Sequence, residues 1–209
     1  MLKVDHISKS YKHFKAVNQV SFEIPDSEVW ALTGPNGAGK TTLLKIIAGL
    51  LLPDQGSLSW GGFTPTEDLD KFKALVHYIP QKAGLFPNLT VSETLRFFAN
   101  LREARNLEEV AARFDLTEIE DRLLKNLSGG QKQKVVVAQA FLGEGKYLLV
   151  DEPTVNLDQE TVETVKRELR QFAAKGGIVI ISSHIENDFA KEFVNHRIVM
   201  VNGEIKEII

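Results

Sequence analysis

The stretch VWALTGPNGAGKTTLLKIIAGL, residues 29–50, joins an apolar segment, a glycine-rich loop and an amphipathic segment. The apolar segment predicts a strand, and the amphipathic segment predicts a helix that follows the loop directly. In the loop, Gly34, Gly39, Lys40 and Thr41 satisfy the pattern G-x-x-x-x-G-K-[ST]. At a strand–helix junction this pattern binds the phosphates of a nucleotide. The stretch therefore predicts a nucleotide site between a strand and a helix.

The residues of this loop have the chemistry that phosphate binding needs. Glycines allow backbone N–H groups to close around phosphate oxygens, and the N-terminal end of the helix favours the same anion. Lys40 adds a positive charge at the β- and γ-phosphates, and Thr41 offers a hydroxyl to Mg²⁺. The flanking strand and helix disfavour the alternative, a chance match in a glycine-rich turn. The predicted nucleotide-binding segment also includes Pro35, Asn36, Gly37, Ala38 and Thr42.

Two acidic residues follow the apolar stretch YLLV, residues 147–150. The stretch predicts a strand, so Asp151 and Glu152 would lie at its carboxyl end, beside the phosphate loop. There Asp151 can hold the Mg²⁺ shell, and Glu152 can orient or deprotonate a water for in-line attack. An acidic pair after a strand is more often a helix cap or a solvated turn, but the phosphate loop upstream favours the catalytic interpretation.

Three further residues have two interpretations each when the residues alone are considered. His184 ends the apolar segment VIISSH. It could hydrogen-bond the γ-phosphate and hold the attacking water, or it could lie in a solvated loop. Gln81 follows a predicted strand and could contact Mg²⁺ or the water, and Tyr11 could stack on adenine. From the residues alone, both are otherwise unremarkable polar positions.

The composition limits the classes of protein to which the chain can belong. Its 209 residues suffice for a sizeable core in one domain, or in one domain with a lobe. A net charge of −3 gives no global basic field, so nucleic acid is not an expected partner. The sequence has no cysteine, which excludes disulfide scaffolds and zinc ribbons. It shows no signal-peptide pattern and no apolar run near the ~20 residues of a membrane helix, so any span would belong to another chain.

The order of segments predicts an α/β fold. Apolar strands that alternate with helices indicate a mainly parallel sheet buried on both faces. Between residues 90 and 143 the apolar period becomes helical. Capping boxes are predicted at Thr90 with Glu93, and at Asn106 with Glu109.

The last third of the chain predicts a helix over roughly 159–174 and then the strand GIVIISSH. A second helix is predicted to run through Phe189. The Asn202-Gly203 step between two β-like segments predicts a final hairpin.

The stretch LSGGQ, residues 127–131, starts another helix with two glycines. Ser128 and Gln131 form a further predicted capping box, which by itself explains why a helix starts here. It does not explain the glycines, because each weakens a helix by up to ~1 kcal/mol. Bare backbone N–H groups at a helix start are what a phosphate oxygen needs. The segment therefore indicates a second anion site.

Six segments in order resemble the motifs of an ABC (ATP-binding cassette) ATPase. They are GPNGAGKTT, YIPQ, LSGGQ, YLLVDEPT, NLD and SSH, and they resemble the Walker A, Q-loop, signature, Walker B, D-loop and switch histidine. The resemblance covers essentially the whole chain, and LSGGQ between a P-loop and a Walker B is highly specific. It implies a single domain, 1–209, with a P-loop NTPase (RecA-like) α/β core. It further implies an N-terminal antiparallel β subdomain and a small helical lobe at about 82–128.

The same resemblance implies how the two anion sites are used. In ABC cassettes two subunits close head to tail, and each signature helix covers the nucleotide held by the other subunit's P-loop. ATP and Mg²⁺ are the implied ligands. The residues implied to serve the γ-phosphate of the partner's nucleotide are Ser128, Gly129, Gly130 and Gln131.

Individual roles follow from the matched positions. Glu152, His184, Lys40 and Gln81 are the implied catalytic residues, and Thr41, Gln81 and Asp151 are the implied metal-binding residues. Tyr11 is implied to stack on adenine, Gln81 to sense the γ-phosphate, and Asp158 to contact the other subunit. Three positions depart from the pattern and put signature-helix packing in question: Lys134, Gln139 and Asn156.

The resemblance also implies a place of action. The expected partners are a second cassette, identical or homologous, and a multi-spanning membrane permease that docks on the helical lobe. The cassette would be cytoplasmic and peripheral on the membrane, encoded apart from its permease, and export is expected over import. The alternative is a soluble ABC ATPase that acts on ribosomes or DNA, although no long coiled coil or zinc-bearing insertion is present. A P-loop kinase with a small acceptor does not account for LSGGQ.

Overall fold

The computed structural model describes residues 1–64, 67, 69–81, 86–153, 157–183 and 193–209. The strands are β1 (Leu2–Tyr11), β2 (Phe14–Ile24), β3 (Val29–Thr33), β4 (Gln55–Trp60), β5 (Val76–Ile79), β6 (Tyr147–Asp151), β7 (Ile178–Ser183), β8 (His196–Val201) and β9 (Glu204–Ile208). The α-helices are α1 (Lys40–Ile47), α2 (Leu69–Leu75), α3 (Val91–Leu101), α4 (Leu107–Arg113), α5 (Gly129–Ala138) and α6 (Gln159–Ala174). Short 3₁₀ turns cover Thr117–Ile119, Leu124–Asn126 and Gln139–Phe141.

The larger sheet has the strand order β5-β6-β7-β3-β8-β9. Its neighbours pair in parallel except for β8 and β9, which form the antiparallel hairpin predicted at Asn202-Gly203. Both turn residues have positive φ, 51° and 81°, as this type of tight turn requires. Strands β3, β6 and β7 are buried along their whole length, which confirms the prediction of a mainly parallel sheet covered on both faces.

The smaller sheet is antiparallel, with the order β2-β1-β4. It confirms the N-terminal β subdomain. Register shifts interrupt the pairing of β1 with β2, and His6 and Gln19, in these two strands, adopt positive φ. Such bulges strengthen the local twist of a two-stranded ribbon. One shift lies at Ala16, whose carbonyl lies against the glycine loop described below.

Side chains of the larger sheet alternate between two hydrophobic cores. On β6, Leu148 and Val150 point into the core that packs α3–α6, whereas Tyr147 and Leu149 point into the core beneath α1 and the smaller sheet. The period of two along each strand produces this division. The sheet therefore holds the glycine loop after β3 and the acidic residues after β6 at one edge, with a helical layer on each face.

The helical segment between the two halves of the sheet begins as predicted. Thr90 accepts a hydrogen bond from Glu93 N at 3.1 Å, and the Glu93 carboxylate accepts one from Thr90 N at 2.8 Å. The capping box predicted at Asn106 is wrong. The Asn106 amide donates to Phe141 O at 2.8 Å and accepts from Gly143 N at 3.0 Å. The side chain thus joins α4 to the segment after α5, and it makes no cap bond to its own helix.

Other predictions for this part of the chain vary in outcome. Helix α6 matches its prediction, 159–174, whereas the short helix α2 was not predicted. The second helix through Phe189 lies outside the described residues. None of the helices in the described ranges is both long enough and apolar enough to cross a bilayer.

Candidate functional site

The glycine loop between β3 and α1 is shaped by the rest of the chain. Gly34 and Gly39 have φ of 142° and 101°, where side chains are strained. A Cβ at Gly34 would also clash with the Met200 carbonyl, and one at Gly39 with the Ala16 carbonyl. Strands β8 and β2 therefore press on the loop from two sides. Gly39 begins α1 without a side-chain cap, so the helix start offers its backbone N–H groups to the loop interior.

Lys40 lies folded over the loop that precedes it. Its Nζ donates to Gly34 O at 2.7 Å and to Pro35 O at 3.1 Å, and the residue is only 6% exposed. Burial lowers the pKa of its ammonium, while Glu152 and Asp151 oppose that shift. Among the described residues it forms no ion pair within 4.0 Å. Because its hydrogen-bond acceptors are two neutral carbonyls, the ammonium can still pair with a phosphate.

Asp151 is fixed at the carboxyl end of β6. It is 2% exposed, and its carboxylate accepts hydrogen bonds from the Ser182 hydroxyl and from Tyr78 OH, the latter at 3.4 Å. Burial, assisted by the neighbouring Asp151 carboxylate, raises the pKa of Tyr78 well above its usual range, so the phenol stays a donor. Neither Ser182 nor Tyr78 was predicted, because β5 and β7 bring them to Asp151 from distant positions.

Glu152 is turned out of the strand by an uncommon backbone conformation. Its φ is 51°, and its N–H donates to both O and Oγ of Ser182, at 3.2 and 3.1 Å. A left-handed conformation at a non-glycine residue is uncommon and is often found at functional sites. The Gln81 amide donates to the Glu152 carboxylate, which brings two predicted catalytic residues together.

A cavity of about 480 Å³ joins these groups to the glycine loop. The structure thus brings together residues 36–42 of the predicted loop, the Walker B glutamate, Gln81 and Tyr11, whereas Gly34, Pro35 and Asp151 do not line this cavity. The cavity also contains Phe14 and Ala16, which the sequence analysis did not single out. Its lining residues are Tyr11, Phe14, Ala16, Asn36, Gly37, Ala38, Gly39, Lys40, Thr41, Thr42, Gln81 and Glu152.

The signature segment does not line this cavity. Ser128 caps α5, accepting from Gln131 N at 3.2 Å, while its N–H donates to the Gln131 side chain at 3.1 Å, so the predicted capping box is confirmed. A Cβ at Gly129 would meet no atom within 4 Å in the described structure, and its φ lies outside the left-handed region. Nothing within the described chain requires glycine there.

Asp158 has a local role that the sequence analysis missed. It caps α6, accepting from Thr161 N at 2.8 Å and from the Thr161 hydroxyl at 3.0 Å. These hydrogen bonds, the backbone one first, lower the pKa of the Asp158 carboxyl below its usual value. An aspartate at the start of a helix, as in the pattern D-x-x-T here, predicts such a cap. Its predicted contact with a second subunit stays a prediction.

Two of the three positions that depart from the motif pattern, Lys134 and Gln139, lie within the described residues. Lys134 Nζ lies 3.9 Å from an Asp115 carboxylate oxygen. Gln139 is buried, and its carbonyl accepts a hydrogen bond from Arg102. Its side-chain oxygen has no hydrogen-bond partner among the described atoms. His184 and Asn156 lie outside the described residues.

These groups fit a magnesium–nucleotide complex. Mg²⁺ commonly binds to one or two carboxylates together with substrate phosphates. Asp151 is a buried carboxylate whose charge acts on Lys40, and the glycine loop ends in an uncapped helix start. Lys40 supplies the positive charge, and Glu152 lies beside Gln81 where a water could be oriented. The arrangement suits in-line transfer of a phosphoryl group.

The profile of the ABC transporter family matches residues 17–155. The chain belongs to the ABC ATP-binding cassette family. The match spans the glycine loop, the signature segment and the acidic residues after β6. It confirms the resemblance on which the assignment of the motifs depends, and it places the chain among ATPases that bind nucleotide.

Two relatives and one solved structure show the extent of the likeness. The molybdate/tungstate import ATP-binding protein WtpC of Pyrococcus horikoshii is 35% identical over 100% of this chain and 61% of its own length. An uncharacterized ABC transporter ATP-binding protein, YhaQ of Bacillus subtilis, is 31% identical over 100% of this chain and 72% of its own. A dimeric ATP-binding cassette in a post-hydrolysis state with ADP and Pi is 25% identical, with a TM-score of 0.91, covering 100% of this chain and 98% of that one.

The chain therefore spans about three fifths of the length of the molybdate/tungstate relative. The expectation of export finds no support here, since the relative whose name states a direction is an importer. The expectation came from the likeness of the helical lobe, and the nucleotide-binding groups contain nothing that depends on the direction of transport.

Proposed function

We propose that this cassette hydrolyses Mg²⁺–ATP in a head-to-tail dimer of cassettes and thereby drives a separate membrane permease. The observation that carries the proposal is Gly129. A Cβ at this position would meet no described atom within 4 Å, yet the residue is glycine at a helix start. A second subunit's nucleotide approaching that helix start accounts for the missing side chain.

The hydrogen bonds at the start of α5 support the same proposal. The capping box satisfies the N–H groups of Ser128 and Gln131. No hydrogen bond of the Gly129 or Gly130 N–H occurs in the part of the chain that the structure describes. Two amides without a described partner at the positive end of a helix can stabilise the charge that develops on a transferred phosphoryl group.

Within one subunit, the proposed roles follow from the contacts. Mg²⁺ would neutralise charge on the β- and γ-phosphates, with Thr41 and Asp151 as its protein contacts. Lys40 binds the phosphates, Glu152 orients or deprotonates the attacking water, and Gln81 holds the Glu152 carboxylate in place. His184 remains the proposed γ-phosphate contact, and Asp158 the proposed contact to the second cassette. We treat residues 1–209 as one cassette domain.

The proposed docking surface for the permease is an exposed apolar patch on the helical segment, formed by Phe86, Phe97 and Leu101. These side chains are 49%, 46% and 69% exposed. Phe86 and Phe97 pack edge to face with ring centroids 5.6 Å apart. Phe97 and Leu101 lie on α3, and Phe86 precedes that helix in the chain. Such a group of exposed apolar side chains suits a short amphipathic helix of a partner. A permease bound there would be connected to the nucleotide site through Gln81.

The proposed direction is import, following the name of the molybdate/tungstate relative. Transport in reconstituted vesicles would measure it. In inside-out vesicles, where added ATP reaches the cassettes, accumulation of substrate would show export, whereas loss of preloaded substrate to the medium would show import. Stimulation of ATP hydrolysis by ribosomes or DNA would support the alternative, a cassette that works without a membrane partner.

Glu152→Gln tests the proposed chemistry. The variant keeps the size of the side chain but cannot accept a proton, so it should retain ATP binding, lose most turnover and accumulate an ATP-bound dimer. Turnover and the mass of the ATP-bound species are the two readouts. Undiminished hydrolysis would remove Glu152 from the mechanism. Purification from membranes should also recover a multi-spanning partner, and its absence would count against transport.

A further inference from the structure

We propose that Phe14, beside Tyr11, is a second aromatic contact for the nucleobase and that it contributes to the affinity for the nucleotide. The inference rests on the proposed nucleotide site and adds a residue to it. Both rings line the cavity that contains the glycine loop. Both are also unusually exposed for aromatic side chains, Tyr11 at 48% and Phe14 at 56%.

The hairpin places the two rings side by side. Tyr11 ends β1 and Phe14 begins β2, and the two residues are direct partners across the turn formed by Lys12 and His13. Residues directly opposite on antiparallel strands direct their side chains to the same face, with Cβ atoms about 5 Å apart. Phe14 thus lies next to Tyr11 on the face that the cavity lines.

The hairpin is also held at a fixed position relative to the phosphate loop. The Ala16 carbonyl lies so close to Gly39 that a Cβ there would clash. Gly203 N donates to Ala38 O at 3.0 Å, and Asn18 N donates to Gly203 O at 2.8 Å. The β8–β9 turn therefore ties β2 to the loop. The strand that carries Phe14 is thus anchored to the loop that would hold the phosphates.

The two side chains are about half exposed. Neither Tyr11 nor Phe14 takes part in a ring–ring contact within the described ranges. The polar side chains of the cavity belong instead to the glycine loop and its first helical turn, or to Gln81 and Glu152. On the hairpin side, a base meets Tyr11, Phe14 and the small Ala16. It would be bound by stacking and apolar contact, which any base can make.

The test compares binding of ATP with binding of tripolyphosphate, which has the phosphates but no base, by calorimetry on the full chain. Phe14→Ala should weaken ATP binding about five- to hundredfold and leave tripolyphosphate binding unchanged, because loss of one base–aromatic contact acts on the base alone. Phe14→Trp should restore ATP binding. His13→Ala is the matched control in the same turn, since His13 does not line the cavity, and it should bind both ligands as wild type does.

The outcomes separate this inference from the proposed function. If Phe14→Ala binds ATP as wild type does, or loses ATP and tripolyphosphate binding equally, the inference is overturned. If Phe14→Leu matches wild type, the ring is not needed for stacking and the inference is overturned as well. If Tyr11→Ala weakens ATP binding while Phe14→Ala does not, the nucleotide site stands and Phe14 is removed from it. Failure of the wild-type chain to bind either ligand would contradict the proposed function itself.

Discussion

Helices α1 and α5 both begin at glycines, but the chain treats the two starts differently. At α1, the glycines are required by the fold, because side chains at Gly34 and Gly39 would clash with strands β8 and β2. At α5, Gly129 is free of such constraints, and a capping box formed by Ser128 and Gln131 already stabilises the helix. The glycines of α1 are explained within one chain, whereas the proposed explanation for Gly129 of α5 is a ligand from outside it.

The difference separates two kinds of glycine that look alike in a sequence. One kind is needed for backbone conformation and close packing, and its replacement affects folding. The other kind leaves a helix start bare for a ligand, and its replacement should affect function alone. Three of the predictions below concern the two helix starts, and one concerns the far end of α5.

The largest effect is expected from removing each anion site in turn. Lys40→Ala should abolish nucleotide binding, because it removes the cation held over the loop. Gly129→Glu should leave nucleotide binding by the separate subunit intact but reduce turnover by about 10³-fold, since a carboxylate would face the partner's phosphates. Calorimetry and steady-state hydrolysis measure the two quantities. Equal loss of nucleotide binding in both variants would contradict the separation of the two sites.

The second prediction concerns how the far end of α5 is held. His77 is 2% exposed, and its Nδ1 lies 2.7 Å from Ala140 O in the turn after α5. Burial, assisted by the charge of Arg102, lowers the pKa of His77 to about 4. The unfolded chain, with a pKa near 6.5, takes up a proton first as pH falls. Folded-state stability should therefore decrease between about pH 6.5 and 4, by about 3 kcal/mol in total.

Denaturant unfolding across that pH range measures the effect, with His77→Leu as the variant that cannot titrate. The difference in unfolding free energy between wild type and variant should shrink as pH falls. A difference that stays constant with pH would show that His77 is not held neutral in the fold.

The third prediction compares two alanine substitutions. Gly39→Ala should destabilise the fold by about 2 kcal/mol, because it places a Cβ against the Ala16 carbonyl at a strained φ. Gly129→Ala should change stability by no more than about 1 kcal/mol, in the stabilising direction, since alanine is the better helix former. Thermal unfolding of the two variants gives the comparison directly. Comparable destabilisation by both would mean that Gly129 is also a folding requirement.

The smallest effect is expected from the two confirmed capping boxes. Ser128→Ala and Thr90→Ala should each cost about 1 kcal/mol of stability through loss of a cap bond. Only Ser128→Ala should also reduce hydrolysis, because Thr90 begins a helix away from the nucleotide cavity. Unfolding and hydrolysis are measured on the same preparations. Equal hydrolysis in the two variants would leave Ser128 with a structural role alone.

Much of this arrangement could be predicted from the sequence because the signals are local. Strand β3, the glycine loop and α1 form one continuous stretch, and the capping boxes at Thr90 and Ser128 span four residues each. Asn106 shows where local reasoning fails. Its pattern is that of a cap, but its partners, Phe141 and Gly143, come from a segment 35 and 37 residues away.

The contacts that complete the site are also distant in sequence. Tyr78 and Ser182 reach Asp151 from strands on either side of β6, and Gln81 reaches Glu152 across 71 residues. The order of the strands in the sheet determines these contacts, and local sequence patterns do not predict that order. In the sequence, Phe14 looks like any exposed strand residue, and only the position of the hairpin beside the glycine loop distinguishes it.

The most direct test of the central claim uses the absence of cysteine from this chain. Asn36 lies in the glycine loop and Ser128 at the start of α5, and both are exposed. The single variants Asn36→Cys and Ser128→Cys, each also carrying Glu152→Gln, would be mixed under mild oxidation with and without Mg²⁺–ATP. We expect a disulfide-linked dimer of the two different variants that forms only with nucleotide, because in the proposed dimer each loop faces the other subunit's helix start. Failure of the mixture to form that dimer, while both variants bind ATP, would contradict it.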